Sequence, residues 1–411
     1  MTDVDPGGSD RRVTYGDVFA VREYRALWVA QVLSVAGDQL SRVALSVLVF
    51  DQTGSALLTG ATYAMTFLPW AVGGPLTASL ADRLPRRTLM IVCDVVRGLM
   101  VAAVALPGLP LWSMLILLFV GGLFAPPFSS ARAALIPHVF PDDARYVAAS
   151  AISTTTAEAA QILGFALGGG AVALLGARSS LLLDAGTFLL SALVVAVGVR
   201  SRPAAKPKRT AGGPWTDLRA GAVLVFGDPR LRMLVFLAWL CGLYVAPEAL
   251  AAPYADSQGA GPVAVGLLLA ANPIGTTIGS LLVGRFLTTS SRRRLMVPMA
   301  ALTGVPLMAC IGQPGVTVTL LLWVLSGFFS AYNLAASAEF ALAVPDASRG
   351  QAFGLVMSGM MVGQGVGLLL AGLVAEYLSP LSVVALAGLL TVLGAACLAR
   401  PHRHYRGVHR A

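Results

Sequence analysis

The stretch RSRPAAKPKRTAGGPWTDLRAG, residues 200–221, is the one long polar, Pro- and Lys/Arg-rich segment within a chain of 411 residues. On either side of it run apolar segments, broken only by short charged or Pro/Gly-rich turns. Only 12% of the residues are charged and 56% are apolar, where a soluble domain has roughly 25% and 45–50%. A soluble core cannot hide that much hydrocarbon. Windows of about 20 apolar residues match the roughly 30 Å core of a bilayer, and the ten-residue alternating strands of a membrane barrel are absent. The chain therefore reads as an all-α membrane protein.

Cutting at the interruptions gives twelve expected spans, near 24–50, 56–80, 88–106, 111–134, 144–175 and 180–199, then 231–254, 262–286, 295–311, 315–343, 348–376 and 381–399. The implied order is an N-terminal tail (1–23), a six-span half (24–199), a basic linker with a short amphipathic piece (200–230), a second six-span half (231–399) and a C-terminal tail (400–411). Of the 29 Lys and Arg, 26 fall in the tails, the linker or the turns on the same side; Arg178 lies opposite, and Arg42 and Arg97 lie inside spans. The positive-inside rule then places both termini in the cytoplasm, and it accounts for the net charge of +9 without nucleic acid. MTDVDPGGSDRR at the start lacks the apolar run of a cleaved signal, so the first span is expected to act as an uncleaved anchor.

The halves repeat one another. Pro141-Asp142-Asp143-Ala144-Arg145 matches Pro345-Asp346-Ala347-Ser348-Arg349 at an offset of 204, Arg83 matches Arg285 at 202, and Arg25 and Gly37 match Arg230 and Gly242 at 205. An even number of spans per half puts both copies the same way up, as parallel repeats around a central cavity.

A charge at mid-bilayer costs about 2.5–3.5 kcal/mol on insertion scales, so each one needs a cavity, a partner or a proton. The first span carries the stripe Gln31, Ser34, Asp38, Ser41 and Arg42, with Asp38 roughly 21 Å from the basic end at 1.5 Å per residue. Asp38 and Arg42 are i, i+4 neighbours and are expected to pair, either as a fixed structural pair or as a carboxylate that alternates between paired and protonated forms. Glu158, with Thr154 and Gln161, is the second mid-depth candidate for protons or a cationic substrate; Glu248, among Trp239, Tyr244 and Tyr254, is a third, or part of an outer gate. Asn272, Asn333 and Gln364 are uncharged mid-depth candidates for ligand or interhelical hydrogen bonds. Asp94 and Arg97 are expected to pair with the turn after the second span, Asp184 to lie near Arg178, and Arg132 and Glu339 to join a charge network on the basic side.

Several chemistries are not encoded. There is no P-loop, HExxH or GxSxG, and the only lysines are Lys206 and Lys208. Cys93, Cys241, Cys310 and Cys397 are dispersed within apolar runs and read as small core residues. His138, His402, His404 and His409 all lie on the basic side. No enzyme activity, cofactor or metal site is expected.

The turn after the second span reads Gly74-Pro75-Leu76-Thr77-Ala78-Ser79-Leu80-Ala81-Asp82-Arg83-Leu84-Pro85-Arg86-Arg87. It resembles the signature loop of the major facilitator superfamily, a Gly followed by D-R-x-G-R-R/K, with Ala78 and Pro85 standing where the family prefers glycine. Tyr24-Arg25-Ala26-Leu27-Trp28-Val29-Ala30-Gln31, Gly37-Asp38 and Ala133-Ala134-Leu135-Ile136-Pro137 are similar to bacterial exporters of the macrolide-efflux and enterobactin-exporter type. The resemblance implies a multi-pass carrier of a bacterial-type cell membrane, working by alternating access and exporting hydrophobic or amphipathic small molecules in exchange for protons, with no obligate protein partner. It also implies a cytoplasmic gate built on Asp82, Arg83, Arg86 and Arg87, joined by Asp94, Arg97, Arg132, Arg285 and Glu339. Gly164-Phe165-Ala166-Leu167-Gly168-Gly169 resembles the family's antiporter motif, with Phe165 in place of its proline; Gly164, Gly168 and Gly169 equally suit plain helix packing. The alternatives are an uptake carrier, or a sensor or scaffold that keeps the fold.

Overall fold

The computed structural model describes residues 14–202, 214–345 and 348–399, except for the side chains of 72–83 and of part of the linker helix. Asp82, Arg83, Lys206, Lys208, His402, His404 and His409 thus lie outside what is described. The helical rods are α1 (Arg22–Thr53), α2 (Ala56–Arg83), α3 (Arg86–Val104), α4 (Leu111–Val139), α5 (Asp143–Leu175), α6 (Ala177–Gly198), α7 (Pro229–Ser257), α8 (Pro262–Phe286), α9 (Thr289–Gly312), α10 (Val316–Ala343), α11 (Arg349–Val374) and α12 (Pro380–Ala399). A short helix, Tyr15–Phe19, precedes them, and a linker helix, Pro214–Gly227, lies between α6 and α7. Ten rods are long and apolar enough to cross a membrane. The other two places in the expected order fall to α3, which carries Arg86, Arg87, Asp94 and Arg97, and to α2, whose later side chains are undescribed.

Local chemistry sets the boundaries. Gly54, at φ 62°, ends α1 in the left-handed conformation that a glycine adopts without strain. Asp142, from the repeated PDDAR phrase, caps α5 by accepting the Arg145 amide at 3.1 Å, and Asp228 caps α7 by accepting that of Arg230 at 2.7 Å. The rods α4 and α10, counterparts in the repeat, both break in mid-course, near Leu123 and Ala331.

Four glycines make the closest approaches between the halves at two crossings. A Cβ on Gly169 of α5 would sit 2.7 Å from the Pro262 carbonyl of α8, and one on Gly266 of α8 would sit 2.5 Å from the Phe165 carbonyl. The copy of this crossing joins α2 to α11: a Cβ on Gly60 would lie 2.7 Å from the Leu368 carbonyl, and one on Gly372 2.7 Å from that of Ala56. Gly169 and Gly372 are 203 positions apart (372 − 169), and Gly60 and Gly266 are 206 apart (266 − 60), so the crossings are related by the internal repeat. Both lie in the halves of the rods remote from the termini. On the side of the termini the segment Ala125–Val139 packs against the first half and Tyr332–Ala343 against the second. The halves thus touch on the far side and diverge toward the basic side, enclosing a wedge.

Candidate functional site

Glu158 opens into that wedge. It is exposed, and at 3.6 residues per turn it shares a helix face with Phe165 and Gly169, seven and eleven residues on, which meet α8 across the interface. Gln161, one turn away, is half-buried. The same helix turns its other side to α1: a Cβ on Gly164 would lie 2.8 Å from the Ala36 carbonyl, and one on Gly168 3.1 Å from Leu40 Cα. The Gly164-to-Gly169 phrase therefore serves two close contacts, one within the half and one between halves.

Asp38 does not pair with Arg42. Its carboxylate accepts from Arg97 of α3 at 2.5 Å, with the Asp38 side chain 35% exposed and that of Arg97 8%. Arg97 also donates to Ser34 Oγ at 3.1 Å and lies over the Phe188 ring at 4.3 Å. An i, i+4 pair on one helix is worth a few tenths of a kcal/mol, whereas Arg97 joins a charge, a hydroxyl and a ring face drawn from two other helices. Arg42 instead covers Phe67 of α2 at 4.9 Å and lies within electrostatic reach of Glu248 across the interface. Since Arg42 sits one turn beyond Asp38, both face the plane between the halves. Glu248 is enclosed there, its Oε2 without a hydrogen-bond partner, as is the hydroxyl of neighbouring Tyr63.

Behind Asp38 lie two further acids. Asp94 and Asp184 are 0% exposed; the Ser191 hydroxyl sits 2.6 Å from Asp94, and Ser41 and Thr187 reach Asp184. Asp94 and Arg97 thus do not pair with the turn after α2, because they stand eight and eleven residues into α3, roughly 12 and 16 Å along its axis. Asp184 is likewise remote from Arg178, which donates to the Ala105 carbonyl at 3.2 Å; six residues apart, the two leave α6 on different faces. Sequence reasoning passed over Asp184, Thr187 and Ser191 as a group, although their i, i+3, i+7 spacing marks one polar stripe.

The other candidates are dispersed. Gln31 accepts from Arg132 at 2.6 Å and donates to the Ser153 carbonyl at 2.9 Å, tying α1 to α4 and α5. Arg132 and Glu339 share no network: Glu339 pairs with Arg230 at 2.6 Å and Arg293 at 3.5 Å in the second half. Arg86 donates to the Ala134 carbonyl at 2.8 Å and contacts His138, and Arg87 donates to the Ala196 carbonyl. Both arginines therefore engage carbonyls near helix C-termini, where the macrodipole favours cations; the Asp82 carboxylate expected of a gate lies outside the described side chains. Arg285 is exposed. Asn333 donates to the Tyr244 hydroxyl at 2.8 Å, the Asn272 carbonyl accepts from Thr276 at 3.0 Å, and Gln364 meets the Cys241 thiol; all three contacts stay within the second half. Cys93, Cys241 and Cys310 are buried, but Cys397 is exposed on α12, since an apolar residue on an outer rod can face lipid as readily as core.

The profile of the Major Facilitator Superfamily matches residues 27–251 and 245–410. The chain belongs to this superfamily. It is 25% identical over 379 residues to the MFS-type transporter YfiS of Bacillus subtilis, covering 89% of this chain and 90% of the relative. It is 26% identical over 310 residues to the multidrug efflux pump Tap of Mycolicibacterium fortuitum, covering 73% and 76%. Among solved structures it resembles that of the nucleoside transporter NupG, with a TM-score of 0.75 at 15% identity over 92% of this chain and 98% of that one, a likeness of fold. As a superfamily member this is a multi-pass membrane transporter of small molecules.

Proposed function

We propose that this transporter exports hydrophobic or amphipathic small molecules, cationic ones among them, in exchange for protons. The observation that carries the reading is the pair of acids on the wedge: Glu158, exposed on the face that meets the second half, and Asp38, partly exposed and held by Arg97. Glu158 offers a cationic substrate an unpaired carboxylate on a face otherwise made of hydroxyl, amide and apolar groups. Asp38 offers a proton site whose ionised form already has a counter-ion. The charge bias of the turns supports a cytoplasmic basic side, so the wedge is the cytoplasmic entry and the glycine crossings are the closed outer gate. Likeness to the efflux pump Tap supports export.

The test is transport by the purified protein in liposomes, with fluorescent lipophilic cations and macrolides as probes and a pH gradient imposed in each direction. Accumulation driven by the gradient, lost in Asp38→Asn and reduced for the cations alone in Glu158→Gln, is the expected result. Probe flux that ignores the gradient, or that both variants leave intact, overturns the reading.

A further inference from the structure

Among its described residues the first half holds more buried acid than its one buried guanidinium, Arg97, neutralises. Arg97 lies within electrostatic reach of Asp38, Asp94 and Asp184, yet its direct ion pair is with Asp38. The groups facing these acids are Ser34 and Ser41 from α1, Cys93 from α3, and Thr187, Phe188 and Ser191 from α6; no second cation faces them among the described residues. Three carboxylates and one guanidinium would leave two unpaired negative charges in a space from which water is excluded, at a cost of several kcal/mol each.

The hydrogen bonds indicate how this is avoided. The Ser191 hydroxyl lies 2.6 Å from Asp94 Oδ2 and 3.4 Å from the Ala30 carbonyl oxygen, and a hydroxyl has one hydrogen to donate. Both contacts are satisfied if the Asp94 carboxyl carries a proton and donates to Ser191, which then donates to Ala30. Asp94 Oδ1 is buried with no partner, tolerable for the carbonyl oxygen of an acid and costly for a carboxylate. Thr187 repeats the pattern, with the Asp184 carbonyl oxygen at 2.8 Å and Asp184 Oδ1 at 3.1 Å.

The second half supplies an internal control. The repeat offset of about 204 carries Asp38 onto Leu243 (offset 205), Asp94 onto Pro298, Arg97 onto Ala301 and Asp184 onto Gly388. There α9 and α12 cross with a Cβ on Gly304 lying 2.3 Å from the Gly388 carbonyl oxygen, as α3 and α6 cross with a Cβ on Gly98 lying 3.2 Å from that of Ala185. The fold builds this crossing without charge, so packing alone does not call for the acids of the first half.

We infer that Asp94 and Asp184 are a proton store behind Asp38, with Arg97 as a counter-ion that exchanges between them. In the state seen here Arg97 holds ionised Asp38 while the two buried acids keep their protons. When Arg97 turns from Asp38 to one of the buried acids, that acid's proton passes to the Asp38 carboxylate, which Arg97 has just left; the charge of the cluster is unchanged and the proton now stands on the acid that reaches the wedge. This deepens the proton-exchange reading of Asp38 and rests on it. Asp94 and Asp184 are positioning and storage residues and touch no substrate.

Infrared spectroscopy of the whole protein in lipid at pH 7 tests the store directly, because a protonated carboxyl has a carbonyl stretch that a carboxylate lacks. The expected spectrum contains two such bands from this cluster, one lost in Asp94→Asn and the other in Asp184→Asn. Asp38→Asn should also remove one, since Arg97 then pairs with a buried acid; a static structural cluster would keep both. Unchanged spectra in Asp94→Asn and Asp184→Asn, or bands that vanish when sodium replaces potassium, overturn the proposal. A hydrophobic carbodiimide, which reacts with protonated carboxyls, gives a check that needs no variant: mass spectrometry of the wild-type protein should find Asp94 and Asp184 modified well ahead of Asp38, and the reverse order refutes the store. If the bands behave as stated while Asp38→Asn leaves proton-driven transport intact, the store stands and the exchange reading falls.

Discussion

At the glycine crossings the far-side closure is held by backbone contact, so it can be loosened by one methyl group. A Cβ on Gly266 would meet the Phe165 carbonyl oxygen at 2.5 Å and Gly169 Cα at 2.8 Å, and neither atom can rotate aside. Overpacking of this kind costs typically 1–3 kcal/mol. Alanine also favours a helix over glycine by up to about 1 kcal/mol, but that gain is the same whether the far side is closed or open and cancels. Gly266→Ala should therefore shift the equilibrium toward an open far side by about 5- to 150-fold. The assay is the reaction rate of a membrane-impermeant thiol reagent with a cysteine placed at Ala56, which is 6% exposed against Gly372 in the symmetry-related crossing, in a background lacking Cys397. While the closed form dominates, the rate rises with the open fraction. Gly170→Ala is the control, since its added Cβ meets nothing within 4 Å. If Gly266→Ala labels no faster than Gly170→Ala, the close approach is not what holds the far side shut.

Glu376 latches the same side from the second half: it accepts from the Ser55 hydroxyl at 2.6 Å and the Leu57 amide at 2.9 Å, and these donors hold its carboxyl below the usual range. A carboxyl depressed in the closed form favours closure above its unlatched value, about 4.3, and the effect fades as pH falls through the latched value. Acidifying the far side to that range should thus speed labelling at position 56, and Glu376→Gln should abolish this dependence; salt should weaken it, because Glu376 is exposed. Arg97→Met should destabilise the protein by about 3–5 kcal/mol at a pH where Asp38 is charged, and Asp38→Leu/Arg97→Met should recover most of that; a double variant no better than the single one in thermal unfolding would show that the pair itself stabilises the half. Gln31→Leu strands the Arg132 guanidinium at a cost of about 1–3 kcal/mol, and Gln31→Glu, which restores an acceptor, should unfold at a higher temperature than Gln31→Leu.

What could be read without coordinates was whatever depends on one helix or on composition. Span positions, the repeat and the face of α5 that bears Glu158 follow from hydropathy, offsets and a 3.6-residue period. Pairings between helices were beyond that reach. Asp38 had a sequence neighbour at Arg42 and a spatial one at Arg97, and nothing in the local pattern ranks a cation fifty-nine positions away (97 − 38) above one four away. Distance along a single helix would have excluded Asp94 and Arg97 from the turn after α2, since 1.5 Å per residue is enough to see that they lie too deep. The polar stripe Asp184, Thr187 and Ser191 was legible, but its meaning depended on α6 lying against α1, which only the fold supplies.

The divergence of the two halves bears on how work is divided between them. Their shared contribution is mechanical: paired glycine crossings, Gly60 with Gly372 and Gly169 with Gly266, that join the halves on the far side. Their difference is electrical. The first half holds Asp38, Asp94, Asp184 and Arg97 in one connected cluster and presents Glu158, whereas the positions equivalent to the cluster in the second half are the uncharged Leu243, Pro298, Gly388 and Ala301. Buried charges bring a net penalty unless well compensated, so their restriction to one copy is an asymmetry that the duplicated fold does not require. Glu248 and, at the far-side end, Glu376 are acids that the second half brings to the interface, and Glu248 lies within electrostatic reach of Arg42 of the first. On the reading proposed above, a proton or a cation that alters the first half's cluster acts on the interface through α1, where Asp38 and Arg42 stand one turn apart.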